Sequence, residues 1–167
     1  MSAVAAFLLA LVPPLAAALY ETGGALLPLL AGALIVAVGW TLLFARLRGR
    51  PASWHAVVAA SIFALMAPPG VPLWQALLAL SFGVVVGEQV FGGRGYSFLH
   101  PAAAALAFLF FSFPASTAGQ ANSPLVAAAV LPGAILLLAG GTVSWRVVAG
   151  VVVGLAGWLA LRGFPYP

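Results

Sequence analysis

The chain is a succession of long apolar runs broken by short polar interruptions. Seven apolar runs stand out, at about 3–20, 24–45, 54–68, 72–90, 99–113, 125–140 and 143–161. Between them lie "YETGG", "RLRGRPAS", "APPGVP", "FGGRGYSFLHP", "FPASTAGQANSP" and "GGT", all carrying the glycine, proline and small polar residues of turns. The pattern predicts a helix in each run. A helix perpendicular to a bilayer needs roughly 20 residues to cross the hydrocarbon core. The third and fifth runs fall short of that, so they are expected to be broken or re-entrant helices. Membranes tolerate such pieces only where protein or a cavity covers the freed backbone groups.

Composition turns that pattern into a class. Of 167 residues, 65% are hydrophobic and 5% charged, against about 25% charged in a soluble domain. So few charges cannot cover a surface in water, and the chain reads as an all-α, polytopic membrane helix bundle. With no cysteine, disulfides, thiolate zinc sites and cysteine-held iron–sulfur clusters are excluded. The net charge of +4 comes from six arginines set against Glu21 and Glu88, and it reports topology rather than affinity for nucleic acid. If all seven runs cross and the N-terminus is cytoplasmic, Arg46, Arg48, Arg50, Arg94 and Arg146 fall on the cytoplasmic side. Only Arg162 is then outside, with Glu21. The start, "MSAVAAFLLALVPP", lacks the basic region of a secretory signal and is expected to be a retained first helix.

Packing signals are frequent. "GVVVG" occurs twice, giving Gly83/Gly87 and Gly150/Gly154 the spacing that lets helix backbones approach. These pairs suit ordinary helix contacts or a dimer interface. Pro13-Pro14 should kink the first span, whereas Pro28 and Pro132 are expected near the starts of theirs, where proline costs little.

The polar residues are few enough to weigh singly. Glu88 is either an interfacial side chain reaching water or an intramembrane carboxylate on an ion or proton path. Arg94, six residues on, could pair with it. Gly92, Gly93 and Gly95 permit a narrow turn or a close approach of backbone amides to a cofactor phosphate. His55 and His100 open the third and fifth runs. They could ligate a haem iron, or each could anchor its helix end through backbone hydrogen bonds. No aspartate, cysteine or third histidine completes a metal site. Trp40, Trp54, Trp74, Trp145 and Trp158 fall mostly near run ends, as interfacial tryptophans do. The chain has no nucleophile–base constellation, no phosphate-binding loop of the Walker type and no basic–aromatic surface for nucleic acid.

The segment "QVFGGRGYSFLHPAAAALAFLFFSFP" resembles the signature of one bacterial membrane family. Its members are the D subunit of Rnf electron-transport complexes and the B subunit of the sodium-translocating NADH:quinone reductase. The matching residues are Gln89, Gly92, Gly93, Gly95, Pro101, Ala102, Ser112, Phe113 and Pro114. Around them, "LLALVPPLAAALY" is similar to the family's first helix, "FARLRGR" to its basic loop, and "ALMAPPGVPLWQALL" to its Pro-Pro turn. "AGGTVSWRVVAGVVVGLAGWL" looks, less specifically, like its sixth and seventh helices. Members are about twice this length and built as two repeats, so the chain resembles a C-terminally shortened member. On that reading 1–167 is a single transmembrane domain, with 1–114 resembling the first repeat and 115–167 a linker loop plus two helices. Departures are His100 and Ser97 where the family has Asn, and "SWHA" at 53–56 in place of an acidic stretch.

The resemblance implies a subunit of an electron-transfer complex in the bacterial inner membrane, holding FMN or riboflavin, or binding quinone. Its partners would be other membrane subunits, a ferredoxin, flavoprotein or NADH-linked donor, and a second copy or another subunit supplying the second repeat. Gly92, Gly93, Arg94, Gly95 and His100 become candidate cofactor contacts, and Glu88 a candidate on an ion path. Family members carry FMN as a phosphoester on threonine in an outer loop resembling Ala-Thr-Pro-Leu. Ser123-Pro124-Leu125 falls at that place here, with a hydroxyl that could form the same ester. The acidic residue and the Gly-Ala-Thr of the family's loop are missing, and Ser123 suits equally a cap on the sixth helix. A structural anchor without its own cofactor and a small-solute channel are the competing functions.

Overall fold

A computed structural model describes residues 3–49, 51–52, 54–91, 99–117, 124–141 and 143–162. Every element among them is helical. In chain order these are α1 (Ala3–Thr22), α2 (Leu26–Arg48), α3 (His55–Met66), α4 (Leu73–Val84), which continues into a π-helical turn (Val85–Gln89), α5 (Pro101–Ser112), the single turn α6 (Pro114–Thr117), α7 (Pro124–Ala139) and α8 (Trp145–Arg162). Each expected run corresponds to one of these helices, and only α6 and the π-helical turn were not foreseen. Glycines at positive φ, such as Gly49 after α2 and Gly70 in the Pro-Pro turn, end or reverse the chain where a side chain would be strained.

The expected short helices are short. α3 and α5 have 12 residues each, or about 18 Å at 1.5 Å per residue, against roughly 30 Å of hydrocarbon. Only Val4–Thr22 and Leu26–Arg48, among the described residues, are long and apolar enough to cross by themselves. Burial follows length in the sense that membrane physics demands. On α3, Ala56, Val58, Ala59, Ala60, Ser61, Phe63 and Ala64 are buried, while α1 buries a thin stripe of Ala10, Pro14 and Ala18. Half-length helices need protein around their ends, and here the longer helices supply it.

Four helices share the main core. α2 packs on α3 and α4, α4 lies along α5, and α3 touches α5. The buried residues at these contacts are mostly alanine, with Phe63, Leu80, Val84 and Leu109 filling the larger gaps. Small residues let backbones approach closely, which is the main source of helix association where lipid is as apolar as leucine. α1 and α7 form a second unit, joined to the first through α1 on α3 and a small cluster of Ala18, Leu26 and Ala64.

The two GVVVG segments behave differently. A Cβ placed on Gly83 would strike the Pro101 carbonyl oxygen and lie 2.6 Å from the Ala105 Cβ, and one on Gly87 would sit 3.2 Å from the Pro101 Cα. That pair is therefore an intrachain contact between α4 with its π turn and α5. Gly150 and Gly154 meet nothing within 4 Å among the described residues, and α8 makes no comparable contact with the other described helices. One expectation is corrected. Pro132 lies in the interior of α7 rather than near its start, because about two turns of helix precede it from Pro124. There its missing N–H leaves one carbonyl of the preceding turn without a helical donor. The adjacent Gly133 admits the Ala10 carbonyl of α1, where a Cβ would clash. α1 itself continues as helix through Pro13 and Pro14.

Gly83→Leu is expected to cost at least the roughly 1–3 kcal/mol typical of overpacking, because a backbone carbonyl has no rotamer by which to retreat. Gly150→Leu is expected to leave the monomer's stability unchanged. Thermal melts of both variants in detergent check the contrast.

Candidate functional site

Two groups of described polar residues lie at the opposite ends of α2 and α4, whereas Thr41 and Ser61 lie within helices, each bonded to the carbonyl four residues before it. At the first, α4 changes pitch. The Val90 N–H donates to the Val85 carbonyl at 2.8 Å, the five-residue spacing of a π turn, a distortion common at functional positions. Within this turn Glu88 and Gln89 are buried, with 3% and 5% of their surface exposed. Arg48, in the last turn of α2, donates from Nη2 to the Gln89 carbonyl, and its guanidinium carbon stands 5.1 Å from the Phe44 ring centroid. The cation is thus placed by its own helix face and gives one of its five N–H donors to backbone. Glu88 Oε1 is buried and has no hydrogen-bond partner among the described residues.

His100 closes the same end. It stands as N-cap of α5 in extended conformation, with Pro101 at the first helical position. Its Nδ1 accepts from the Ala102 N–H at 3.3 Å, so only Nε2 is left for any other partner. His55 begins α3. Among the described residues no three His, Cys, Asp or Glu side chains gather as a metal set. Gly92, Gly93, Arg94 and Gly95 lie outside the described residues, as does Ser123.

At the opposite end is a cavity of about 380 Å³. Its wall comes from two interhelix turns, the one between α1 and α2 and the one between α3 and α4. Ala18, Glu21 and Thr22 end α1, Ala25, Leu26 and Leu29 begin α2, and Ala64 to Leu73 carry the Pro-Pro turn from α3 into α4. Val126, in the first turn of α7, completes it. The lining is apolar apart from Glu21, Thr22 and exposed backbone, and the volume lies in the range of small-molecule sites. Sequence reasoning missed this cavity, and it missed Arg48 as the partner of the π turn. The cavity's walls are ordinary alanines, leucines and prolines, so its only signal was the convergence of turns, which needs the fold. One hint was available for Arg48, since a basic residue at a helix C-terminus is placed to meet carbonyls.

These features define a class, a helical membrane protein whose half-length helices are buried by longer ones. The profile of the NQR2, RnfD, RnfE family matches residues 2–124, and the chain belongs to that family. Among curated relatives it is similar to the B subunit of the Na(+)-translocating NADH-quinone reductase of Neisseria meningitidis serogroup A, 36% identical with 83% of this chain and 45% of the relative aligned. Its counterpart in Ectopseudomonas mendocina is 34% identical over 78% of this chain and 43% of its own. That of Stutzerimonas stutzeri is 47% identical over 57% and 24%. The chain spans less than half the length of these relatives.

Replacing His100 by Ala should cost about 1 kcal/mol through loss of the cap, while His100→Asn, another strong capping residue, should keep most of it. Melting temperatures of the two variants distinguish a cap from a side chain whose value lies elsewhere.

Proposed function

We propose that the chain is a membrane subunit of an electron-transfer complex and that its cavity holds the ring system of a flavin. The observation that carries this reading is the place of Val126. It stands in the cavity wall, three residues after Ser123, the hydroxyl at the position of the family's flavin-bearing threonine. A flavin esterified at Ser123 needs an apolar slot within a few residues' reach for its tricyclic ring, and the cavity's size and lining suit one. The residues therefore fit the group. When bound, a flavin supplies one- and two-electron redox chemistry. The chain's own part is to exclude water with the Pro68-Pro69 turn and Leu26, and to fix the ring against Leu29 and Val126.

In this reading the chain sits in the bacterial inner membrane with its N-terminus cytoplasmic. The arginine-bearing end, with Arg46, Arg48, the loop of Gly92, Gly93, Arg94 and Gly95, and His100, then faces a soluble donor such as a ferredoxin, a flavoprotein or an NADH-linked enzyme. Other membrane subunits, or a second copy, supply what the second half of a long member contributes. A second reading, a membrane anchor that positions cofactors held by others, is favoured by α8. Its exposed Val151, Val152 and Val153 and open Gly150 and Gly154 suit assembly more than catalysis.

Purified with its native partners and run on a denaturing gel, the chain should fluoresce under ultraviolet light. Ser123→Ala should abolish the signal, and Val126→Trp, which fills the slot, should reduce flavin incorporation several-fold. Fluorescence that persists in Ser123→Ala would remove the attachment site. A dark chain within an active complex would favour the anchor.

A further inference from the structure

A proline inside a helix deprives the carbonyl four residues earlier of its N–H donor, and hydrocarbon supplies no substitute. Pro13 and Pro14 stand inside α1 and Pro132 inside α7. They free the carbonyls of Leu9, Ala10 and Ala128. The Ala10 carbonyl is covered within the chain, since it lies against Gly133 at the crossing of α1 and α7, where a Cβ would clash. The other two belong to residues on the open surface of the pair. Leu9 is 51% exposed, and Ala128 and Pro132 are exposed as well. The hydroxyls of Thr22, Thr41, Ser61 and Thr117 are engaged by carbonyls four residues before them.

Helix geometry places the two open carbonyls on one flank. Ala18 near the end of α1 and Val126 near the start of α7 meet in one small cluster, so the two helices run antiparallel. Leu9 precedes Ala10 by one residue and Pro132 precedes Gly133 by one, a rotation of about 100° on each helix. In an antiparallel pair those rotations turn to the same side. The carbonyls of Leu9 and Ala128 thus open beside each other, separated by about a turn in depth.

We propose that this flank of α1 and α7 is the docking face for a transmembrane helix of another subunit, one that carries a hydroxyl, amide or indole donor at that depth. Polar complementarity selects the occupant. A lipid tail or a wholly apolar helix leaves both acceptors unsatisfied, whereas a donor side chain satisfies them and fixes the partner's depth and rotation. A second copy docking through the same flank would set acceptors against acceptors. The face rests on the reading of the chain as a subunit of a membrane complex, and not on its holding a flavin.

The test uses the complex extracted from native membranes in mild detergent, with the chain carrying Pro13→Ala, Pro132→Ala or Pro14→Ala. Each substitution returns an N–H to one carbonyl and keeps the helix. On native gels across a detergent series, Pro13→Ala and Pro132→Ala are each expected to weaken retention of the chain in the complex by about three- to tenfold. Pro14→Ala, whose carbonyl Gly133 already covers, is expected to leave retention unchanged. Melting temperatures no lower than the parent's show that the loss is not misfolding. A photoreactive phenylalanine derivative at Leu9 identifies the neighbour. The proposal requires an adduct on another membrane subunit, with Ser, Thr, Asn, Gln, Tyr or Trp within one turn of the captured residue. Equal effects of all three substitutions, no effect of any, or capture of lipid or of a second copy alone overturns it. A parent chain that migrates by itself removes the subunit reading too, so the two failures are told apart.

Discussion

The fold depends on how closely α4 and α5 approach at Gly83. Pro101 opens α5 with its carbonyl oxygen against a position where any Cβ would collide. That contact lets a helix of 12 residues start at the depth it does. A helix end in a membrane must have its free backbone groups covered, and α5 meets the requirement through the α4 backbone, the π turn and the His100 cap. Move α5 outward by the width of one methyl group and the cover over its first turn is lost. Ala102, Ala105 and Leu109 would then leave the core they share with Ala79, Leu80 and Val84. The alanine content of this core has the same origin, since small side chains permit the close approaches that hold helices together without a hydrophobic driving force.

Much of the architecture was legible along the chain. The runs located the helices to within a few residues because proline and glycine punctuate a sequence that is otherwise continuously apolar. The shortness of α3 and α5 followed from the lengths of the third and fifth runs, 54–68 and 99–113. Which face of each helix is buried was not legible, because helices apolar all round carry no period to read. Gly83 and Gly150 sit in identical pentapeptides, yet one packs against α5 and the other meets nothing within 4 Å among the described residues. The difference lies in what the rest of the chain brings alongside. Pro132 was misplaced although the run at 125–140 already set about two turns of helix before it, and α7, beginning at Pro124, holds it in its interior. At the site, the sequence marked Glu88 and His100 as unusual polar residues. It could not show that Arg48, 41 positions before Gln89, would reach the same turn.

The distribution of polar groups sets the cavity and the π turn at opposite ends of the same two helices. α2 runs from the cavity wall at Ala25 and Leu26 to Arg48 at the π turn, and its 23 residues span about 34 Å. α4 joins the same two ends, from Leu73 in the cavity to the turn containing Glu88. That separation is several Debye lengths at physiological salt, so charges at the two ends act only weakly on each other wherever ions can screen them. Any linkage between the cavity and the π turn must therefore pass through the packing of α2 and α4, which move as rigid rods only if their contacts hold. Arg48 ties α2 to the end of α4 at the turn, and Gly32 on α2 meets Leu77 of α4 nearer the cavity, where a Cβ would lie 3.0 Å from a leucine methyl. These contacts at both ends hold α2 and α4 together between the cavity and the π turn. Packing along two helices, rather than charge, is thus what connects the two ends in this geometry.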